Sequence, residues 1–146
     1  MFSVSHDDAA SLVVHYLSGP TNTDADYAAY CSTIERLNAD ATGELLHIGI
    51  LTIAPENPMP NASWRKRIAD ASSDIDPNTL FILVSERPAV RGILTAINWV
   101  RPPTYQWCVV KTFEGALDVV REHRPEAVAR VKELHEDCLR HASAAG

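Results

Sequence analysis

The stretch TLFILVSERPAVRGILTAINWVRPPTYQWCVVKTFEGALDVV, residues 79–120, decides the fold. Leu80 to Val84 is an unbroken apolar run, short and rich in branched side chains, which is how a buried strand reads. Ser85 follows as a helix N-cap, and Pro88 sits early in the first turn, where its missing N–H costs nothing. Val90, Ile93, Leu94 and Ile97 then recur at helical spacing until Pro102-Pro103 stops the helix. Gln106 to Val110 makes a second strand, and Thr112 caps a further helix carrying Ala116, Leu117, Val119 and Val120. Strand, helix, strand is a βαβ unit, the building block of parallel sheets with right-handed crossovers.

The same signals extend the pattern towards the N-terminus. Phe2 and Val4 belong to a short edge strand, Asp7 to Ala10 to a turn, and Ser11 to Leu17 to a strand closed by Ser18-Gly19-Pro20. The two strands are close enough in sequence to pair as a hairpin, which adds an antiparallel edge. Thr23 or Asp24 caps a helix whose stripe is Tyr27, Tyr30, Cys31, Ile34 and Leu37, ending at Thr42-Gly43. Leu45 to Ile53 reads as a central strand, covered on both faces, in which Gly49 implies close approach by another backbone or a helix. A loop with three prolines, Ala54 to Pro60, leads to a helix beginning at Asn61 or Ser63 with the stripe Trp64, Ile68, Ala71 and Ile75. After Val120 a terminal helix is expected at about 126–141, with Val128, Val131, Leu134 or His135, and Cys138 on its apolar side. The whole, residues 1–146, is one α/β domain. It has a mixed sheet of about five strands, mostly parallel with one antiparallel edge, and about four helices plus an added C-terminal one.

Composition narrows the function without naming it. Forty-six per cent hydrophobic and 22 per cent charged residues belong to a globular chain, and no apolar run reaches the length of a membrane span. The first ten residues lack the basic and apolar regions of a secretory signal. Cys31, Cys108 and Cys138 are scattered and odd in number, which fits reduced thiols and a cytoplasmic location. A net charge of −6 argues against nucleic acid as a partner. The charge is uneven, however: residues 1–60 hold eight acids and one base, whereas residues 61–112 hold seven bases and four acids. Arg65, Lys66 and Arg67 even crowd the first turn of a helix, where each cation opposes the dipole by about 0.3–1 kcal/mol.

Catalytic signatures are missing. There is no phosphate-cradling glycine loop, no nucleophile elbow and no obvious carboxylate pair. His135, Cys138 and His141 recur at intervals of three, but such positions drift by about 60° around a helix, poor geometry for one ion. They read as a buried thiol flanked by two partly exposed histidines, and neither metal nor cofactor is expected. His15 and His47, in strands, read as packed or hydrogen-bonded within the sheet.

The order β-β-α-β-α-β-α-β-α with an added helix resembles the STAS-like fold, the family of anti-sigma-factor antagonists and of regulatory domains on anion transporters. The residues that carry the resemblance are Leu83-Val84-Ser85, Pro88-Ala89-Val90-Arg91, Cys108-Val109-Val110-Lys111 and Thr112-Phe113-Glu114-Gly115-Ala116-Leu117. The resemblance implies a signalling module. The Asp-Ser-Ser/Thr-Gly phosphosite of such modules is replaced here by the proline-rich loop, with Ser63 the one hydroxyl at the start of the following helix.

These readings point to a non-enzymatic regulatory or scaffolding module that binds a protein partner. The contact runs through the loop and helix start at 55–67 and the beginning of the helix at 86–100, beside strand C-termini where parallel sheets dock ligands. The residues expected to converge there are Ser63, Trp64, Arg65, Arg67, Ser85, Arg87, Arg91, Trp99 and Arg101. A second expectation is a small ligand, a lipid or an anionic metabolite, entering at the same strand ends. An enzyme of unknown type is a lesser one. The terminal helix offers a route to a homodimer.

Overall fold

The structure, a computed structural model, describes residues 1–40, 44–100 and 102–145, and no side chain of residues 38–40 or 100. The expected helix end at Thr42-Gly43 and the candidate Arg101 lie outside the described residues. The elements run β1 (Phe2–Asp7), β2 (Leu12–Leu17), α1 (Asp24–Asp40), β3 (His47–Ile53), α2 (Ala62–Ser72), β4 (Thr79–Val84), α3 (Pro88–Val100), β5 (Gln106–Val110), α4 (Phe113–His123), a 3₁₀ turn (Pro125–Ala127) and α5 (Val128–Ala144).

Local chemistry sets the helix starts. Thr23 and Asp26 form a reciprocal cap: the Asp26 N–H donates to Thr23 Oγ1 at 3.2 Å while the Thr23 N–H donates to Asp26 Oδ2 at 2.7 Å. Asn61 caps α2 by accepting the Trp64 N–H at 2.9 Å, and Thr112 caps α4 by accepting the Gly115 N–H at 3.1 Å. Ser85 departs from expectation. The helix after it opens on Pro88, and the buried Ser85 hydroxyl instead accepts the Arg87 N–H at 3.2 Å.

The five strands lie in sequence order, β1 antiparallel to β2 and the rest parallel. Sequential order with right-handed crossovers puts every connecting helix on one side. Accordingly α1, α2 and α3 share one face, gathered around Leu17, Tyr30, Leu51, Leu83 and Val90. The other face would be bare but for the chain after β5. There α4 and α5 bury Leu117, Val120, Val131, Leu134 and Cys138 against Val14, Ile48, Ile50, Leu80 and Ile82. Full burial of each such side chain stabilises by roughly 1.5–3 kcal/mol, so this face is the mechanical base of the molecule. The apolar stripe of α5 is thereby covered within the chain, leaving Leu139 half outside.

The two helical layers are not equally tight. α5 packs directly on β1 and β2 and α4 on β3, β4 and β5, whereas among the described residues α2 and α3 come comparably close to no strand. α1 leans on α2 and on the edge strand β1. This layer is therefore propped at one side and stands off the middle of the sheet.

Candidate functional site

The gap beneath α1–α3 is a cavity of about 290 Å³. Its floor is the sheet face carrying Val13 and His15 of β2, Gly49 and Leu51 of β3, and Phe81 and Leu83 of β4. Register places these in rows: Val13, Gly49 and Phe81 lie abreast, then His15, Leu51 and Leu83. Lining rows run from His47 beside Thr79 to Leu17 beside Ile53, three steps of about 6.6 Å, or roughly 20 Å end to end. Ile34, Ile68, Ile93 and Leu94 close it from the helices.

Gly49 explains why the floor is low. A Cβ built there would meet Val13 Cγ1 at 3.5 Å and Phe81 Cδ2 at 3.9 Å, ordinary contacts with side chains beside it. The expected close approach of a backbone or helix is not what this glycine serves. The missing side chain leaves open space where a central strand would normally project one.

The proline-rich loop is the roof. Asn57, fully buried, donates its amide to Ser18 O and Gly19 O at 3.2 Å each. It also exchanges amide hydrogen bonds with Asn22, 2.8 Å in both directions. That knot pins the loop down and turns Pro58, Met59 and Pro60 over the cavity. Nothing in the sequence marked Asn57 except its place between two prolines.

The polar lining is sparse and badly satisfied. His15 is 3 % exposed, stacked on Phe2 (5.9 Å between ring centroids) and edge-on to Tyr30 (5.3 Å), and its ring nitrogens make no well-aligned hydrogen bond, the Ile50 backbone being the polar group that acts on them. Burial keeps it neutral, with its pKa pushed down to about 3 against a smaller opposing pull from the Ile50 backbone. Arg87, half-buried at the strand C-terminal end, has Nε and Nη2 buried and unpartnered. Glu56 is an acid on which its charge acts. Glu56 is held below the ordinary carboxylate range by its own backbone and by the Gly19 N–H, with the Arg87 charge adding to both. Asn98, near the other end of α3, is buried with Nδ2 unpartnered. Buried donors without partners cost about 1–3 kcal/mol each, so native chains keep few.

The expected site residues separate into groups. Arg65 and Arg87 both line the cavity, Arg65 donating Nη1 to Pro60 O at 3.0 Å. Trp64 stands outside the lining, tilted on the lining residue Tyr27 with centroids 5.4 Å apart and donating Nε1 to Asp24 Oδ1 at 2.8 Å. Ser85 is buried beneath Arg87, and Arg91 is half-buried with Nε unpartnered but outside the lining. Ser63 and Arg67 are exposed on α2, Arg67 lying near the buried Cys31 thiol, whose pKa burial raises and Arg67 partly restores. Trp99 breaks the expected convergence. It is 82 % exposed at the far end of α3, about 17 Å from Pro88 by helix rise.

Two further expectations resolve. A strand order without reversal has no topological switch point, so the space available to a ligand lies under the helices and not in a crevice between strand ends. On α5, Cys138 is buried and donates to Val14 O at 3.3 Å, His135 stacks on Phe113 at 3.7 Å and His141 is exposed. Among the described residues no group of three His, Cys, Asp or Glu is placed to hold a metal ion, and no helix is long and apolar enough to cross a membrane. Comparison with protein-family models, with curated proteins and with solved structures finds no match to this chain.

Proposed function

We propose that this protein binds a small amphiphilic anion, apolar in body and acidic at one end. The observation that carries the reading is the apolar cavity of about 290 Å³ with two buried, unpartnered guanidinium nitrogens of Arg87 at one end. Apolar enclosure with few placed polar groups is the general character of ligand sites. A carboxylate or phosphate would supply the acceptors that Arg87 lacks, in a charge-assisted pair. At about 290 Å³ the space stands at the small end of the roughly 300–1,000 Å³ of ligand pockets, which suits a small acid. That is a medium-chain or compact aromatic acid. STAS-like kinship belongs to the same proposal, resting on residues 80–120 and the order of elements.

Native mass spectrometry of freshly purified protein tests it, followed by titration of the stripped protein with octanoate. A co-purified mass of a few hundred daltons, or saturable octanoate binding, is expected. Protein that carries nothing and ignores octanoate defeats the reading.

Recognition of a protein partner keeps one specific support, the 82 % exposed Trp99, since tryptophan is enriched at interaction hot spots. Loss of partner recovery from lysate on Trp99→Ala, at unchanged thermal stability, is the outcome that reading requires.

A further inference from the structure

Of the two sheet edges, one is closed and the other open. α5 packs along β1, and the outward Phe2 N–H donates to Asp26 Oδ1 at 3.0 Å. β5 has no such cover: among the described residues it packs closely on β4 and α4 alone. Val110 O accepts the Ser85 N–H at 3.0 Å, which fixes the phase of the ladder. Gln106, Cys108 and Val110 therefore turn both backbone groups to β4, and Trp107 and Val109 turn theirs outward. The strand carries none of the devices that guard an edge, neither charge, proline nor bulge. Beside it α3 shows a second bare surface. Ala89, Gly92, Ala96 and Trp99 are all exposed and uncharged, while half-buried Arg91 and buried Asn98 mark the flank turned into the molecule. A Cβ on Gly92 would find nothing within 4 Å, so no neighbour inside the chain requires a residue so unfavourable in mid-helix.

We infer that a second copy of this chain covers both surfaces, β5 pairing antiparallel with its counterpart about a two-fold axis so that the two sheets become one. A single register answers every outward group: Trp107 lies opposite Val109 of the other copy, and Cys108 meets Cys108 on the axis. The same operation places the helices. Strands lie about 4.8 Å apart, so the axis runs about 4.8 Å from the middle of the β4–β5 pair. α3 crosses over that pair, with Val90 and Leu94 gathered around Leu83 and Val109, so the two copies of α3 stand about 10 Å apart. Helices pack at about 8–10 Å, the closer where side chains are small. The stripe on α3 also reads the same from either end, with spacings of three, four and three. A two-fold at position 94 lays Trp99 on Ala89 and Gly92 on Ala96. Two chains of net charge −6 repel each other, and this uncharged surface is where they can meet. A bound peptide strand would close β5 and leave α3 bare; a second copy closes both. Glu122, whose charge reaches Cys108 from α4, adds a repulsion that salt screens, so association is measured in high salt.

Sedimentation velocity of the whole chain over a concentration series, joined to cross-linking with diamide, tests this. One strand and one helix per copy make a small interface, so dissociation in roughly the 10–100 μM range is expected. Diamide should join the dimer through Cys108, since Cys31 and Cys138 are fully buried. Cys108 residues opposed on the axis stand about 4.5 Å apart at Cα, within disulfide reach, and Cys108→Ser should abolish the cross-link. Gly92→Glu puts a better helix former into open space, so the dilute monomer should melt no lower, yet dimerisation should weaken at least tenfold. A wild type that stays monomeric at about 1 mM overturns the inference. So does a dimer that Gly92→Glu leaves as tight as before, or one that diamide does not join through Cys108.

Discussion

The indole N–H of Trp64 on α2 donates to the carboxylate of Asp24 on α1 at 2.8 Å, while the Trp64 ring leans on Tyr27. This contact joins the two helices at the end where the loop roof begins, so it sets the spacing of the cavity wall. Trp64→Phe and Asp24→Asn should each destabilise by about 0.5–1.5 kcal/mol in urea unfolding. Combined, they should cost less than the two singles together, because they break one bond. Strict additivity would show that the bond contributes nothing.

Gly49→Leu should fill the cavity from its floor. The added Cβ finds only ordinary contacts with Val13 and Phe81, so the rest of the side chain projects into open space. Octanoate affinity is expected to drop at least tenfold with no fall in melting temperature, since a branched residue suits a strand better than glycine. Unaltered binding would place the ligand elsewhere.

Arg87→Met should separate the two halves of ligand recognition. The apolar part of the cavity persists while the buried guanidinium, with its two unpartnered nitrogens, is gone. Octanoate binding should weaken by about tenfold or more while octanol binding holds or improves, and folding stability should not fall. A parallel loss of both ligands would mean that Arg87 shapes the site and does not read the acid.

Arg124 holds the opposite side of the sheet. Its buried guanidinium donates Nη1 to Ala10 O at 2.7 Å and to Leu46 O at 3.0 Å, and Nε to Glu126 Oε1 at 2.9 Å. Arg124→Met leaves two carbonyls without their donor and should cost about 2–4 kcal/mol by chemical denaturation, with ligand affinity untouched. A cost below about 0.5 kcal/mol would mean that water replaces the guanidinium freely.

Acid should weaken the fold well before its carboxylates titrate. The folded-state pKa of His15 is lowered by burial to about 3 from an ordinary 6.5, so between those values the unfolded chain binds a proton that the native one refuses. Stability is then complete above about pH 6.5 and falls as pH drops through that window, by roughly 1.5 kcal/mol between pH 6.5 and 5 for this group. His47 and His135, also lowered by burial, add in the same direction, and Asp7 and Asp26, whose pKa values are lowered, take over below pH 4. Denaturant midpoints measured from pH 4 to 8 check the slope, which His15→Phe should flatten. An unflattened slope would mean that His15 is hydrated in the native state.

The element order, the antiparallel edge and the parallel remainder followed from signals that act within a few residues: the apolar run at Leu80–Val84, the caps at Thr23, Asn61 and Thr112, the stop at Pro102-Pro103. Backbone hydrogen bonds and side-chain periodicity are local, and a sequence displays them directly. Part of the candidate site was legible for the same reason. Arg65 and Arg87 stand at helix starts that follow strand ends, and both line the cavity.

The cavity itself was not legible. Its existence depends on how far α2 and α3 stand from the sheet, which is a difference between the summed bulk of side chains drawn from six elements and four loops. Gly49 and His15 acquire their meaning only when register lays them in adjacent rows of one face, beneath helices distant in sequence. Whether a guanidinium reaches solvent, an acid or neither is likewise settled by what surrounds it in space. Local preference wrote the elements and their order; the free volume between layers, and the polar groups stranded along it, came from packing alone.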